Sequence, residues 1–260
     1  MEIYTYWYFL PLGIVIATLY TSTGISGSNF WIPVYLYFID LEPRVSFWLA
    51  LVSMMFGSIG GLLRHSSNKT INVSLIKKYL PITIPMAIFG AMMVQFLDVE
   101  LLLILFGVFV SSYGVYILFA IVKGISPERS HTSINYFSAC IGGFLTGVIS
   151  VGLGKLILPR LMNHKIVINP SVAAGTTLAV VFATSFAAVI FRLNGELVES
   201  LISYSDLIMS IMIYEIPGIL IGSQLGPNFV RRLNSTQMKS YVGMLLLVIG
   251  LAILVRTLEF

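Results

Sequence analysis

Two apolar segments, one in each half of the chain, are broken by small residues and closed by a proline. They limit the fold more than any other feature. The first is Gly24-Ile25-Ser26-Gly27-Ser28-Asn29-Phe30-Trp31-Ile32-Pro33 and the second is Ser150-Val151-Gly152-Leu153-Gly154-Lys155-Leu156-Ile157-Leu158-Pro159. Aligned on Pro33 and Pro159, both carry small residues five, six or seven, and nine positions earlier. Glycine and proline are poor helix formers, so each segment should unwind where its neighbours are membrane-buried. Paired, interrupted hydrophobic segments at corresponding places in two halves point to the binding site of a secondary transporter.

The membrane setting follows from composition. Hydrophobic residues make up 57% of the chain and charged residues 10%, with a mean hydropathy of +0.94. A soluble domain carries about 25% charge, so an integral membrane protein is expected, with too little polar sequence for a separate soluble domain. The single cysteine, Cys140, excludes an internal disulfide and a multi-thiolate metal or iron–sulfur site within one chain. No cofactor is expected. The net charge of +4 reads as cytoplasmic loop bias rather than nucleic-acid binding. No basic stretch precedes Trp7 and no cleavage site follows it, so a removable signal peptide is not expected.

Apolar runs near the roughly 20 residues that a crossing needs are Val45–Leu63, Leu80–Phe96, Val99–Val122, Pro170–Arg192, Ser205–Leu225 and Gln237–Val255. Two longer stretches, Trp7–Ile39 and Ile134–Met162, hold the breaks. As a straight helix the first would reach about 50 Å against a hydrocarbon core of about 30 Å. Charge decides how they are threaded. Outside Lys155, single crossings would divide the lysines and arginines eight against six between the two faces. If both stretches are hairpins, the division becomes eleven against three, with Arg44, Arg192 and Arg256 alone on the poorer side. The positive-inside rule favours the second arrangement.

The fold expected is therefore all-α, with two inverted-topology repeats, each a Gly-broken helical hairpin plus three transmembrane helices. The first repeat would span residues 1–122 and the second 134–260, joined by a cytoplasmic linker at 123–133. A multi-pass plasma-membrane protein with both termini extracytoplasmic follows. The hairpins would dip from opposite faces and meet near mid-membrane. Ile84-Pro85…Gly90 recurs as Ile216-Pro217…Gly222, and Gly107…Gly114 recurs as Gly243…Gly250. Pro43 and Pro170 both open the helix after a hairpin. The offsets rise smoothly along the chain, as small loop insertions require.

Lys155 leads the candidates for chemistry. An ammonium near the bilayer centre costs about 2.5–3.5 kcal/mol on insertion scales, so it needs a partner or an aqueous cavity. It follows Gly152 and Gly154, where a short helix begins, and free N–H groups at a helix start favour an anion. Gly24, Gly27, Ser28, Asn29 and Thr176 complete the expected substrate site. Thr177, Ser53 and other small polar residues nearby read individually as helix–helix contacts. Glu215, near the middle of its crossing, is the expected proton carrier. It could pair with Lys155, or the two could remain apart. Arg64, His65 and Arg192 read as interfacial anchors.

The expected partners are a small inorganic or organic anion and membrane lipid, with no nucleic acid; homo-oligomer formation is left open. An anion channel is the main alternative. Gly24-Ile25-Ser26-Gly27 also fits the Gly-x-Ser-Gly of rhomboid-type intramembrane proteases. Those need a histidine base at membrane depth, whereas His65, His131 and His164 fall in or beside loops. A non-enzyme is expected.

The hairpin motifs resemble those of the TauE/SafE sulfite exporter family, also called the sulfonate uptake permease family. The first half keeps Gly24, Gly27 and Pro33, with Ser26 and Ser28 where glycines are common. The second keeps Gly152, Gly154 and Pro159. The closing stretch from Pro217-Gly218-Ile219-Leu220-Ile221-Gly222-Ser223 through Arg231-Arg232-Leu233 to Gly243…Gly250-Leu251 is also similar. Lys155 stands where an acidic residue often follows the second Gly motif. The resemblance implies movement of small sulfur-containing anions, sulfite or organosulfonates, across a plasma membrane, with export the commoner direction.

Overall fold

A computed structural model describes residues 3–23, 26–123, 134–162, 164, 167, 170–230 and 235–258. The chain is all-helical, with six helices long and apolar enough to cross a membrane among the described residues. In order they are α3 (Pro43–Ser67), α4 (Val73–Met93), α5 (Val99–Val122), α8 (Pro170–Phe191), α10 (Ser205–Val230) and α11 (Ser235–Leu258). Proline opens α3, where a missing N–H costs nothing. Asn72 and Asn135 cap the starts of α4 and α6 by accepting from Leu75 N and Ser138 N.

Neither long Gly-broken stretch runs straight. The first divides into α1 (Phe9–Thr23) and α2 (Ser28–Pro33), the latter continuing as a π-helical turn over Val34–Phe38. The arms fold back on each other: Tyr20 lies against Gly27, and the Phe9 ring stacks on Trp31 at 6.2 Å. The second divides into α6 (Tyr136–Ile149) and α7 (Leu153–Met162). Its turn needs two unusual backbone conformations, Ser150 at φ 62° and Gly152 at φ 126°. Only glycine adopts the second without strain. Leu153 N then donates to Thr146 Oγ1 at 3.3 Å, fixing α7 against α6.

Neighbouring helices show their directions by which residues touch. Ser53, Gly57 and Gly60 of α3 advance along α10 with Glu215, Ile219 and Ser223. Gly13 and Thr18 of α1 do the same with Glu215 and Gly222. Along α4, Thr83 and Ala87 meet Gly143 and Gly147 of α6, and Asn72 and Thr83 meet Thr176 and Thr184 of α8. Trp48 near the start of α3 reaches Val189 near the end of α8, while His65 near the end of α3 lies on Gly175. Thus α1, α3 and α10 run one way, and α4, α6 and α8 run the other. One end of the bundle is marked by His65 and the opposite end by Arg192.

The neighbours also exchange in pairs. Swapping α1 with α6, α2 with α7, α3 with α8, and α4 with α10 turns α1–α10 into α6–α4, α10–α3 into α4–α8, and α2–α3 into α7–α8. All six pairings occur. Close approach is made by glycines: a Cβ at Gly13 would lie 3.0 Å from the Glu215 carbonyl, and one at Gly143 would lie 2.6 Å from the Thr83 carbonyl.

Two features depart from the hydropathy reading. α4 begins at Val73 rather than Leu80, because its first turns carry Lys77 and Lys78 into the interface while Leu75 and Tyr79 are buried. A short amphipathic helix, α9 (Gly195–Ser203), precedes α10. It is too short to cross a membrane and carries only one buried residue, Leu197. The expected linker beyond Lys123 lies outside the described residues, as does Gly24.

Candidate functional site

The two breaks touch. Ser28 Oγ donates to the Ser150 carbonyl at 2.6 Å, and Lys155 Nζ donates to Asn29 Oδ1 at 2.9 Å. Lys155 is 3% exposed. Its ammonium lies over the rings of Phe109 and Tyr113, at 5.1 and 4.8 Å from their centroids. One amide oxygen and two aromatic faces thus surround the charge. No carboxylate among the described residues pairs with it.

Glu215 is elsewhere. It is 0% exposed and takes the Tyr35 hydroxyl at 2.6 Å on either oxygen. Tyr35 Oη also lies 2.7 Å from Ser53 Oγ. Lys155 and Glu215 therefore have separate partners and do not form an ion pair.

Beside the meeting point lies a cavity of about 110 Å³. Ser26 and Gly27 of the first break and Gly154 of the second line it at one end. Met54, Ser58, Gly61 and His65, successive turns of one α3 face, carry it toward the His65 end of the bundle. Eleven residues of helix span about 16 Å. Leu158, Leu178 and Val181 make the wall largely apolar. Most lining hydroxyls are already committed to their own helices: Thr21 to Ala17 O, Ser58 to Met54 O and Ser223 to Leu220 O. Thr177 Oγ1 is buried without a hydrogen-bond partner and borders the cavity. It is a donor available to a ligand. His65 Nδ1 is engaged with Thr70 Oγ1 at 2.8 Å.

The Arg192 end is tied together by hydrogen bonds and borders only a small cavity of about 20 Å³. Arg192 is 4% exposed, not an exposed anchor as its place at the end of an apolar run suggests. Its Nε donates to Gly147 O at 2.9 Å and its Nη2 donates to Val148 O. These are terminal carbonyls of α6, where a cation is favoured. Ser150 Oγ donates to Phe47 O at 2.8 Å, and Trp48 Nε1 to Val189 O at 3.1 Å. Together these bonds tie the second break to the start of α3 and the end of α8.

Of the residues expected to bind substrate, Gly27 and Gly154 line the cavity, while Ser28, Asn29 and Lys155 form the contact between breaks. Gly152 makes the turn. Thr176 accepts from Asn72 N at 3.0 Å and holds the start of α4; its neighbour Thr177 borders the cavity instead. Tyr35, Ser58 and Ser223 carried no sequence signal, since each becomes relevant only through partners on other helices. Ser26 Oγ, at 2.7 Å from both Ser28 Oγ and Met54 Sδ, has no histidine among the described residues bonded to it as a protease nucleophile would.

Comparison with known proteins agrees with this architecture. The family described as sulfite exporter TauE/SafE matches residues 9–253. A probable membrane transporter protein of Methanocaldococcus jannaschii is 24% identical over 264 residues, covering 94% of this chain and 95% of that protein. The probable membrane transporter protein YjnA of Bacillus subtilis is 25% identical over 237 residues, covering 85% of this chain and 90% of its own length. A second Bacillus subtilis protein, probable membrane transporter protein YunE, is 18% identical over 265 residues, covering 92% and 93%. No solved structure matches the chain.

Proposed function

This chain belongs to the sulfite exporter TauE/SafE family, and from that membership we propose a secondary transporter that exports small sulfur-containing anions, of sulfite or organosulfonate type. It is a multi-pass transmembrane transporter. The anion's path in this reading is the cavity between the breaks. One observation supports it: the two broken hairpins meet at a buried ammonium that has no counter-ion among the described residues, next to a cavity reaching the His65 end of the bundle. An uncompensated cation in a low-dielectric wall draws an anion and repels cations. The ammonium would exchange Asn29 for the substrate, with Gly152, Gly154 and the start of α7 providing backbone donors and Thr177 a hydroxyl.

The exchange of helix pairs supports two inverted repeats, and alternating access would rock one against the other around this site. The charge distribution supports a reading with the His65 end cytoplasmic and both termini outside, at the plasma membrane. Glu215, with no ion-pair partner among the described residues, would carry a proton across with each cycle. The alternative, an anion channel, differs in one property: its flux follows voltage and never accumulates substrate. The test is uptake into proteoliposomes of labelled sulfite, sulfate and small sulfonates, with and without a pH gradient. Accumulation of a sulfur anion driven by the gradient is expected. Voltage-following flux without accumulation would make the protein a channel.

A further inference from the structure

We infer that Tyr35 transmits the protonation state of Glu215 to the first hairpin; this rests on Glu215 being the proton carrier of the transport cycle proposed above. The two groups belong to elements that must move relative to each other in such a cycle. Tyr35 lies on the returning arm of the hairpin, and Glu215 lies on α10. Their bond is the one hydrogen bond joining that arm to α10 among the described residues.

The bond is part of a chain: Glu215 carboxyl, Tyr35 Oη at 2.6 Å, Ser53 Oγ at a further 2.7 Å, and Leu49 O at a further 2.9 Å. A hydroxyl holds one proton and both donates and accepts, so this chain can be ordered in two directions. With Glu215 ionised, Tyr35 donates to the carboxylate, and Ser53 donates either to Tyr35 or to the carboxylate itself. When one proton adds to a Glu215 oxygen, that O–H donates to Tyr35 Oη, Tyr35 turns its own toward Ser53, and Ser53 turns to Leu49 O. Release of the proton reverses each turn. Every O–H has an acceptor in both orders, so the proton can come and go without leaving an orphaned buried group.

What changes is the strength of one link. Ionised, the Tyr35–Glu215 bond is charge-assisted; neutral, it is about half as strong. Proton uptake therefore loosens the arm from α10, and proton loss tightens it.

The surroundings hold Tyr35 to this task. It sits in the π-helical turn after Pro33, a rare local geometry frequent at functional sites. Trp31 stacks on its ring at 5.6 Å, backed by Phe9. Tyr35 is 0% exposed, so its hydroxyl has no route to bulk water. The titratable side chains facing Glu215 are Tyr35 and, from α1, Tyr20. From α3 come Ser53 and Gly57, and from α1 also Gly13. The turn at Ile3–Tyr6 and α9, which also pack on α10, bring no cation into an ion pair with Glu215.

The test uses the full chain with Cys140→Ser and a single reporter, Ser26→Cys, at the hairpin tip. Its labelling rate by a maleimide is followed from acid to alkaline pH, alongside the infrared carbonyl band of protonated Glu215, identified by its loss in Glu215→Gln. With Tyr35 present, labelling should change by about fivefold as that band titrates, the factor that a difference of about 1 kcal/mol between the charge-assisted and the neutral bond gives. In Tyr35→Phe the band should still titrate while labelling becomes flat. Ser53→Ala supplies a second handle, because it removes the acceptor Tyr35 needs when Glu215 is protonated; it too should flatten the response. If either folded variant keeps the full labelling change, Tyr35 is not the link. If the band never titrates in the unsubstituted chain, Glu215 is not the proton carrier and the underlying reading fails instead.

Discussion

The two ends of the bundle are built from corresponding elements and behave differently. At the His65 end, the last turn of α3, the start of α8 and the described residues of the first break line a cavity of about 110 Å³. At the Arg192 end, the last turn of α8, the start of α3 and the second break are fastened together. Pro43 and Pro170 begin the two helices, and on that alignment His65 corresponds to Arg192 and Thr177 to Ala50. Arginine has the reach and the forked donors to bond two terminal carbonyls at once. Histidine bonds the adjacent loop through Thr70 and makes no hydrogen bond to the described residues of the first break. Ala50 is packed at 0% exposure, where Thr177 keeps an unused hydroxyl beside a cavity. A tied end and an end bordering the larger cavity can thus come from the same scaffold by changing which side chain stands at a helix terminus.

The largest effect should come from the asymmetry between the breaks themselves. Lys155→Met should reduce anion transport by about a hundredfold, the upper range for losing a charged hydrogen-bond donor, while protein still reaches the membrane. Moving the charge across the contact, with Asn29→Lys and Lys155→Asn together, should restore part of the flux. Unchanged flux in Lys155→Met, measured in proteoliposomes, would take the ammonium out of the site.

Arg192→Gln should come next, lowering steady transport about tenfold, since it removes two bonds to a charged donor. His65→Gln should alter transport far less, because the bond His65 makes is to Thr70 of the adjacent loop. Equal losses in the two variants would erase the distinction between the ends.

The paired glycines sharpen the comparison in stability. Gly143→Ala forces a methyl to 2.6 Å from the Thr83 carbonyl, whereas Gly13→Ala meets the Glu215 carbonyl at 3.0 Å. Overpacking costs about 1–3 kcal/mol, so Gly143→Ala should lie near the upper figure and Gly13→Ala near the lower. Apparent melting temperatures in one detergent should rank them in that order. Smallest of all, Thr177→Val keeps the side-chain shape and removes a buried hydroxyl without a partner. It should leave the melting temperature unchanged or slightly raised and weaken substrate affinity about threefold to tenfold.

Much of the fold is legible in the sequence because its signals are local. Glycine and proline interrupt helices wherever they stand, and hydropathy marks six crossings without knowing their neighbours. The positive-inside count decides between crossing and returning, and the two stretches do return. The site is less legible. Thr176 and Thr177 differ by about 100° on a helix, and only the packing of α8 tells which of them faces the cavity. Tyr35 depends on a π-helical turn that nothing in Val34–Phe38 announces. Arg192 looks like an interfacial anchor until α6 brings its last carbonyls alongside.

Reciprocal accessibility of the two ends is the most direct test of alternating access. Thr177→Cys reports on the His65 end and Ser185→Cys, buried one face along α8, on the Arg192 end, each in a Cys140→Ser background. Adding Arg192→Gln should speed labelling at residue 185 and slow it at residue 177, because opening one end closes the other. Faster labelling at both would mean that Arg192 merely holds the protein together, and a site exposed alternately to the two sides would be contradicted.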